Sequence, residues 1–507
     1  MAGTSGSNNC GSLGSATDSS VERQLHEFDN LVSEGAIVIS DSSSDNYDDI
    51  VDLISDTEEV ALAEVKQGGL EFPDGAVRLT NILNEPRDTS KYYSLTDLVQ
   101  PNRLRKALLT TFVMDIDWLL SHFDPSTKLV IVKSYRPKEE DPGVYQSEGG
   151  RLTFINPTFG AQKFPVMHSK IMLLFYDNYV RFATLSANLV EIDWTVLANI
   201  MFIQDFPYTP DSIPAGMTNR NDQCSLQFGE TLKAALLDLD VPEQVVSQLK
   251  HMDMSRARVH IVTTVPSPRF RLKSKRADSY GVSRLGNVIE TLRGSTPLSE
   301  WFDTKLFCYG SSLSRLDSKY LAWFYKCVLG KAVHYPRYLC EEVGYASEEE
   351  YESRILSQNI AVGFHTQDQT NENKFGAIPK QCIMLSPDVF FSKDYPSSAL
   401  HKVNPKVPRV LIHAKVIFAR HGGSKGWMYL GSHNFTRGAW GTFAGNFGKA
   451  SYYNNYEFGV VLPGVRYEEV SGGKTAVVWN GIEIPVPFEP YPWTRYSEMD
   501  MPNMDGM

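Results

Sequence analysis

The sequence predicts a mixed α/β protein with two similar halves, and three observations support this prediction. Short runs of β-branched and aromatic residues, typical of strands, alternate with longer apolar stretches typical of helices. Two strands joined by a tight turn are indicated near residue 177 and again near residue 422. A His-x-Lys pattern stands directly before each of these strand pairs. Such a repeat indicates two halves of related structure.

The secondary-structure elements are predicted from local apolar patterns, in chain order. Ala107–Phe112 and Ile116–Leu120 are interpreted as helical, and Leu129–Val132 is a continuous apolar run typical of a buried strand. Further strands are predicted at Met172–Tyr176, Val180–Thr184, Val259–Thr264, Val416–Ala419 and Trp427–Leu430. Further helices are predicted at Leu232–Leu239 and Leu321–Leu329. This mixture of elements places the chain in the α/β class.

The chain is long enough for several domains, and its composition is that of a globular protein. It has 507 residues, of which 42% are hydrophobic and 21% charged. The formal net charge of −11 is concentrated near the N-terminus, because residues 1–66 carry 14 acidic and two basic side chains. The rest is close to neutral, so the overall charge does not exclude a nucleic-acid ligand. We predict a disordered acidic tail over residues 1–66, an N-terminal domain over 67–265 and a C-terminal domain over 266–507.

Cysteine usage and hydropathy predict an intracellular protein. The six cysteines are far apart and form no Cys-x-x-Cys pair, so neither a disulfide scaffold nor a zinc knuckle is indicated. The N-terminal segment lacks the apolar core of a signal peptide. No apolar run reaches the length of about 18 residues that a membrane helix needs. A soluble protein in a reducing compartment is therefore expected.

The acidic tail contains two short apolar segments, each followed by acidic and hydroxyl residues. Ile37–Ile39 precedes Ser40–Asp45, and Ile50–Ile54 precedes Ser55–Glu59. Such a segment can add a strand to an exposed sheet edge while its acidic residues meet a basic rim. Both resemble SUMO-interacting motifs, which predicts SUMO or sumoylated proteins as partners through residues 37–59. The alternative is a solvated acidic tail that contains aliphatic residues by chance.

The two halves repeat one motif in matching register. Met167–Leu174 parallels Ile412–Ala419 at an offset of 245 positions, and Ser186–Leu189 parallels Ser432–Phe435 at an offset of 246 positions. Each half therefore has His-x-Lys, then two strands, then Ser-x-Asn. A single His-x-Lys is a weak signal, but two copies with the same elements behind them are a strong one.

The repeated residues suit the chemistry of a phosphate. Side chains two positions apart on a strand share a face, so each His and Lys project together. If the two half-sites face each other, they place two imidazoles, two ammonium groups and two carboxamides around one tetrahedral anion, and no metal is needed. The predicted site residues are His168, Lys170, Asn188, His413, Lys415 and Asn434. We interpret the histidines without such partners as structural, namely His122, His251, His260, His334, His365 and His401.

These motifs resemble the phospholipase D superfamily and, within it, the tyrosyl-DNA phosphodiesterases. Superfamily members usually carry His-x-Lys-x4-Asp, but Phe175 and Arg420 occupy the Asp positions here, as in the tyrosyl-DNA phosphodiesterase branch. Further similarities are Asp193-Trp194, Gly438–Gly441, Tyr456–Val460, Pro487-Phe488 and Tyr491–Trp493. The resemblance covers roughly residues 70–500. It implies two phospholipase D-like α/β/α sandwich domains related by a pseudo-twofold axis.

The resemblance also implies an activity and a role for each residue. The activity is hydrolysis of tyrosyl and other adducts at DNA 3′ ends through a phosphohistidine, which releases a 3′-phosphate. His168 would be the nucleophile and His413 the general acid and then base, so their pKa values are expected to differ. Glu457 would fix the tautomer of His168, although an exposed carboxylate at a strand edge is an alternative. Lys170, Lys415, Asn188 and Asn434 would stabilise the transition state, and no metal or cofactor is implied.

Other residues are predicted to bind the substrate. Ser312 lies in a loop that loosely matches a phosphate-contacting loop of the family, and Asn199 falls where the family has a Gln that supports a catalytic histidine. Lys273 and Lys275 belong to a basic segment, Arg269–Arg276, that follows a predicted strand. This segment would bind DNA, act as a nuclear import signal or form a solvated loop. His433 departs from the family, because small residues are usual at its position.

The predicted partners and location follow from this interpretation. We expect DNA with a 3′ adduct, single- or double-stranded, as the ligand of a nuclear monomer that does not bind membranes. One alternative is a nuclease or lipid phosphodiesterase of the phospholipase D type. Another is a SUMO-binding adaptor built on an inactive scaffold.

Overall fold

A computed structural model describes most of the chain after the acidic tail. The described residues are 69–136, 139–159, 165–209, 223–266, 279–297, 300–301, 303–329, 348–443, 450–497 and 499–504. The predicted tail, with its two SUMO-interacting-like segments, lies outside these residues, as do Lys273 and Lys275. The prediction of disorder for the tail therefore stays a prediction.

Among the described residues, the first half contributes ten strands, and nine of them form one sheet. Its order is β2-β1-β10-β9-β8-β3-β4-β6-β5. The strands are β1 (Ala76–Thr80), β2 (Tyr92–Tyr93), β3 (Lys106–Thr111), β4 (Lys128–Lys133), β5 (Gly143–Gln146), β6 (Leu152–Asn156), β7 (Val166–Met167), β8 (Ile171–Phe175), β9 (Tyr179–Leu185) and β10 (Ile200–Pro207). The predicted strands at 129–132, 172–176 and 180–184 are confirmed.

One predicted helix in this half is wrong. Ala107–Phe112 lies almost entirely within strand β3, which pairs in parallel with β4 and antiparallel with β8. Five of the six residues of β3 are buried. A continuous apolar run is compatible with a buried strand and with a buried helix, so the local pattern could not decide between them. The helix predicted at 116–120 is confirmed, and Asp115 caps its first turn by accepting from the Trp118 amide at 3.0 Å.

The second half forms an eleven-stranded sheet. Its main path is β21-β20-β19-β16-β15-β12-β13-β14-β22, and β7 and β11 join it through β19. The strands are β11 (His260–Thr264), β12 (Lys305–Tyr309), β13 (Ile360–Phe364), β14 (Leu400–Lys402), β15 (Val416–His421), β16 (Lys425–Gly431), β17 (Thr442–Phe443), β18 (Ala450–Tyr452), β19 (Asn455–Val470), β20 (Lys474–Trp479), β21 (Ile482–Glu483) and β22 (Thr494–Arg495). Strands β17 and β18 form a separate ribbon. The predicted strands at 259–264, 416–419 and 427–430 are confirmed.

Helices connect the strands and complete the mixed α/β class that the sequence predicts. They are α1 (Leu95–Val99), α2 (Ile116–Leu120), α3 (Glu191–Thr195), α4 (Gln223–Asp238), α5 (Glu243–Ser247), α6 (Gly281–Arg293), α7 (Ser318–Val328), α8 (Glu348–Arg354), α9 (Gln367–Asn371), α10 (Pro387–Phe390) and α11 (Arg437–Trp440). Single 3-10 turns lie at Gln248–His251, Ile378–Cys382, Ser397–Ala399 and Ser471–Gly473, and a π turn lies at Ile355–Asn359. The helices predicted at 232–239 and 321–329 correspond to α4 and α7. Within the described ranges, no helix has the length and apolarity that a bilayer span requires.

Side chains of the first sheet alternate between two apolar cores. Leu109 of β3 packs with Leu119 of α2 in a core that belongs to the first half alone. Its neighbour Leu108 points to the other face, into a core that contains residues of both sheets. Within this shared core the rings of Phe182 and Phe458 lie 6.0 Å apart. Each such buried side chain contributes about 1.5–3 kcal/mol, so the shared core holds the halves together.

Two strands of the predicted N-terminal domain, β7 and β11, pair with the second sheet. Strand β7 pairs in parallel with the start of β19, and β11 pairs antiparallel with the same strand. The predicted domain boundary after residue 265 stays a prediction, and β11, which precedes it, is hydrogen-bonded to the second sheet. These pairings place the segment before His168 beside β19 of the other half.

Candidate active site

The two His-x-Lys motifs have the same local structure in both halves. His168 and Lys170 lie between β7 and β8, and His413 and Lys415 lie directly before β15. All four side chains are buried, and both lysines have no exposed surface. Each lysine donates to the carbonyl of the histidine two positions earlier, at 2.7 Å in the first half and 2.6 Å in the second. The two motifs that repeat in the sequence therefore also make the same hydrogen bond.

Each catalytic histidine predicted from the sequence is anchored by the opposite half of the chain. The His168 amide donates to the carbonyl of Tyr456 at 2.9 Å, and the His413 amide donates to the carbonyl of Ala198 at 2.9 Å. Lys415 acts electrostatically on His168, and Lys170 acts on His413, so both half-sites contribute to one electrostatic environment. The structure thus brings the predicted histidines and lysines together.

Glu457 supports His168 as the resemblance implied. Its Oε2 lies 2.8 Å from His168 Nδ1, and its side chain has no exposed surface, so the alternative of an exposed strand-edge carboxylate is wrong. Ser432 Oγ also donates to Oε2, and Asn455 Nδ2 donates to Oε1 at 2.9 Å. Burial acts to raise the pKa of Glu457, but His168, His433 and Lys170 outweigh it and hold the pKa at about 2. An ionised Glu457 accepts a hydrogen bond from the Nδ1–H of His168, so the lone pair of the neutral ring lies on Nε2.

Asn199 does not have the predicted role. It is fully buried, its Oδ1 accepts from Ser186 Oγ at 2.7 Å, and its Nδ2 donates to the Asp193 carbonyl at 2.9 Å. Among the described residues, neither of these atoms is hydrogen-bonded to His413. Asn is one methylene shorter than the Gln of the family, so it reaches less far. The carboxylate of Asp193 lies near His413 instead, with Oδ2 at 3.4 Å from Nδ1.

The two predicted carboxamides are held differently. Asn434 Oδ1 accepts from Ser311 Oγ at 3.3 Å and from the Ser312 amide at 3.2 Å, which leaves its NH2 group available to an anion. Ser312 is half-buried beside Asn434, so its role as a phosphate contact stays a prediction. Asn188 donates through Nδ2 to Asp193 Oδ2 at 3.0 Å, and its Oδ1 has no hydrogen-bond partner among the described residues.

Burial lowers the pKa of all four basic groups of the two motifs. It lowers the pKa of His168 and of His413 to about 4, the pKa of Lys415 to about 7, and the pKa of Lys170 well below its usual value. The two histidine pKa values are lowered alike, so the expected separation between them is absent. A bound phosphodiester would raise all four pKa values, because a nearby negative charge favours the protonated form of each group.

His433, a departure from the family, is part of a buried network behind Glu457. Thr264 Oγ1 donates to the Ala439 carbonyl at 2.9 Å, so it must accept from His433 Nε2 at 2.8 Å. His433 Nδ1 then accepts from the hydroxyl of Tyr429. Burial lowers the pKa of His433 to about 4, so the ring is neutral and structural.

Sequence reasoning missed the residues that hold the peptide before His413. His365 Nε2 accepts from the Ile412 amide at 3.1 Å, and Tyr309 donates to the Ile412 carbonyl at 2.6 Å. His365 is buried, in agreement with its structural interpretation. Phe112 was also missed as a site residue, and its half-buried ring lies 5.5 Å from that of His168. No local pattern identifies these residues, because their partners are distant in sequence.

The remaining predicted contacts lie outside the described residues. Arg437, three residues after Asn434, is half-buried, pairs with Asp317 and lies over the ring of Tyr320. Among the described residues, no group of three or more His, Cys, Asp or Glu side chains has an arrangement that could hold a metal ion. Lys273 and Lys275 stay predictions.

Comparison with known proteins agrees with these observations. The family profile described as tyrosyl-DNA phosphodiesterase matches residues 76–497. Tyrosyl-DNA phosphodiesterase 1 of Arabidopsis thaliana is 26% identical over 251 residues, or 46% of this chain, and the match spans only 38% of that protein. The crystal structure of the yeast tyrosyl-DNA phosphodiesterase has a TM-score of 0.60 at 14% identity, covering 85% of this chain and 99% of the yeast chain. A histidine-to-alanine mutant of the yeast protein gives a TM-score of 0.61 at 14% identity, with 85% and 100% covered.

The likeness to the yeast structures confirms the predicted phospholipase D-like fold. The family profile covers most of the sequence, including both His-x-Lys motifs and Glu457. The chain belongs to the tyrosyl-DNA phosphodiesterase family.

Proposed function

We propose that the protein is a DNA-repair phosphodiesterase that hydrolyses 3′-phosphotyrosyl and other 3′-end adducts through a covalent phosphohistidine. The observation that carries this proposal is the reciprocal site. Two buried His-x-Lys motifs come from different halves, and His168 is oriented by the ionised Glu457. Membership of the tyrosyl-DNA phosphodiesterase family supports the same substrate class.

In the first step Nε2 of His168 attacks the phosphorus at the DNA 3′ end. The new P–N bond replaces the bond to the tyrosyl oxygen, and His413 in its imidazolium form donates a proton to that oxygen. The phosphorylated ring of His168 keeps its Nδ1 proton and becomes cationic, and Glu457 balances this charge at 2.8 Å. Tyrosine leaves as the neutral phenol.

In the second step water attacks the same phosphorus. His413, now neutral, removes a proton from the water, and the P–N bond electrons return to His168. The products are a DNA 3′-phosphate and the starting protonation states of both histidines. The two steps need no external oxidant, reductant or co-reactant besides water.

Four further side chains would stabilise the extra negative charge on the five-coordinate phosphorus. Lys170 and Lys415 supply ammonium groups, and Asn188 and Asn434 supply carboxamide donors. Lys170, Lys415 and Asn188 are buried and Asn434 is half-buried, so water screens these interactions little. Loss of one such preorganised donor typically costs about 3–4 kcal/mol in the transition state.

The leaving group explains why intact DNA would be spared. The phenol of tyrosine has a pKa of about 10, far below that of a sugar alcohol, so a phosphotyrosyl bond is the easier one to break. A site that provides general acid catalysis by one histidine can therefore cleave the adduct while an ordinary phosphodiester reacts slowly.

Turnover of matched oligonucleotides tests this function. We expect tyrosine release and a 3′-phosphate end from a 3′-phosphotyrosyl oligonucleotide in buffer that contains EDTA, and much slower cleavage of the same oligonucleotide with a 3′-hydroxyl. Equal cleavage of both would favour the nuclease alternative. Hydrolysis of phosphatidylcholine vesicles without cleavage of either oligonucleotide would favour the lipid phosphodiesterase alternative.

We also propose that the acidic tail recruits the monomeric enzyme to SUMO or sumoylated proteins in the nucleus. The support is the pair of aliphatic segments with acidic residues behind them within residues 37–59. Replacing Ile37–Ile39 and Ile50–Ile54 with alanine is expected to weaken binding to immobilised SUMO and to leave turnover of a short oligonucleotide unchanged. The proposal fails if SUMO binding survives both replacements. Loss of turnover in this variant would contradict the separation of recruitment from catalysis.

A further inference from the structure

The two halves support their catalytic histidines in different ways. In the second half, Ser432 Oγ donates to Glu457, and the same carboxylate oxygen accepts from His168 Nδ1. In the first half, Ser186 Oγ donates to Asn199, which is therefore the structural counterpart of Glu457. The carboxamide of Asn199 is hydrogen-bonded to Ser186 and to the Asp193 carbonyl. It therefore gives His413 no hydrogen bond like the one that Glu457 gives His168.

The carboxylate of Asp193 lies next to the ring of His413 instead. Its Oδ2 lies 3.4 Å from Nδ1 of His413, and Nδ1 has no hydrogen bond to any described residue. Asp193 has no counterpart in the second half, where the equivalent position after Ser432-His433-Asn434 is Ala439. The carboxylate is therefore specific to the half that lacks a counterpart of Glu457.

The backbone holds Asp193 close to His413. Asp193 lies in α3, and the segment after this helix is hydrogen-bonded to the segment before His413. The Ala198 amide donates to the Leu411 carbonyl at 2.9 Å, and the Ala198 carbonyl accepts from the His413 amide at 2.9 Å. Asp193 is 1% exposed, and its Oδ2 also accepts from the amide and from Nδ2 of Asn188. These two hydrogen bonds from Asn188 hold the carboxylate in place.

Other charged or titratable groups face the same carboxylate. They are Lys415 and Lys170, whose ammonium groups favour its ionised form, and the buried thiol of Cys382. Burial acts to raise the pKa of Asp193, but His413, the Asn188 amide and Lys415 outweigh it, so the pKa is lowered. Asp193 is thus an anion that faces a histidine whose Nδ1 is unpartnered.

We propose that Asp193 is the positioning residue of His413: it selects the tautomer with the proton on Nδ1, directs Nε2 towards the leaving oxygen, and stabilises the imidazolium form. The kinetic consequence of this inference rests on the proposed function, whereas the contact between Asp193 and His413 does not depend on it. When His413 is protonated, its Nδ1–H becomes a charged donor, and a small rotation of the ring converts the 3.4 Å approach into a hydrogen bond. Asp193 also links Asn188 to His413, so one carboxylate aligns groups on both sides of the phosphate.

The contact is tested without turnover by nitrogen NMR of the protein labelled at histidine. At neutral pH the wild-type spectrum is expected to show His413, assigned by loss of its signals in His413→Asn, with the proton on Nδ1. In Asp193→Asn the proton is expected to redistribute between the two nitrogens. A wild-type His413 protonated on Nε2 overturns the proposal, and this tautomer is observed in the wild-type protein itself.

The kinetic consequence is tested with Asp193→Asn and a matched control. Glu191 is an exposed carboxylate on the same helix, so Glu191→Gln makes the same chemical change away from the site. Asp193→Asn is expected to lower turnover of the 3′-phosphotyrosyl oligonucleotide by about 10²-fold and Glu191→Gln to leave it unchanged. Removal of the negative charge lowers the pKa of His413, so the alkaline limb of the pH–rate profile should move to lower pH in Asp193→Asn alone. Unchanged turnover and pH profile in Asp193→Asn would overturn the proposal, whereas an inactive wild type would refute the proposed function and leave the NMR result to decide the contact.

Discussion

Replacing His168 with alanine is expected to reduce tyrosine release from a 3′-phosphotyrosyl oligonucleotide by on the order of 10⁴-fold or more. The substitution removes the only side chain that forms a bond to phosphorus in the proposed mechanism. It also leaves the buried carboxylate of Glu457 without its partner at 2.8 Å. The measurement is release of tyrosine under single-turnover conditions, with mass spectrometry of the protein to detect attached DNA.

A matched control for this substitution is available on the surface. His122 is partly buried, contacts Thr96 and Trp118, and lies outside the proposed site. His122→Ala should therefore retain wild-type tyrosine release. In His168→Ala no DNA should become attached to the protein at any time point. Wild-type release by His168→Ala, or a DNA adduct on that variant, would contradict the assignment of the nucleophile.

The sequence alone was sufficient to predict the residues that repeat. His168, Lys170, His413 and Lys415 were found because the motif occurs twice in one register, and the structure places all four in one buried site. Glu457 came from the family resemblance rather than from any pattern of its own. Its burial and its bond to His168 depend on β19, which runs beside the segment before His168 only in the folded chain.

The sequence could not predict features that depend on distant partners. The run at 107–112 was interpreted as a helix because a buried strand and a buried helix have the same apolar pattern over six residues. Asn199 is predicted as a site residue because it aligns with a Gln of the family that supports a catalytic histidine. Only the folded chain shows that its side chain is hydrogen-bonded to Ser186. Asp193 was noted as a family similarity, but its approach to His413 depends on packing between the two halves.

The pKa values required by the mechanism also could not be inferred from residue types. The two imidazoles are expected to differ in pKa, yet burial lowers the pKa of each to about 4. In the proposed mechanism the difference arises when the substrate phosphate binds between the two imidazoles. Glu457 and Asp193 each place a carboxylate beside one of these rings.

Replacing His413 with asparagine is expected to trap DNA on the protein. The first step loses its general acid, but the tyrosyl phenol is a good leaving group with a pKa of about 10, so a reduced rate of attack by His168 persists. The second step loses the base that activates water, and water is a poor nucleophile without one. Hydrolysis of the phosphohistidine should therefore slow more than its formation, by about 10²- to 10⁴-fold, and the intermediate should accumulate.

The trapped species identifies both histidines in one experiment. Mass spectrometry of proteolytic fragments from His413→Asn should find the DNA phosphate on His168, and hydroxylamine or acid should release it because a phosphoramidate bond is labile. The double variant His168→Ala/His413→Asn should carry no DNA, which separates covalent capture from tight binding. An adduct on any residue other than His168 would mean that attack comes from elsewhere in the site. Full turnover by His413→Asn would mean that the buried imidazole beside Asp193 is not the acid and base of the reaction. The reciprocal arrangement of the two half-sites would then contribute only to the stability of the fold.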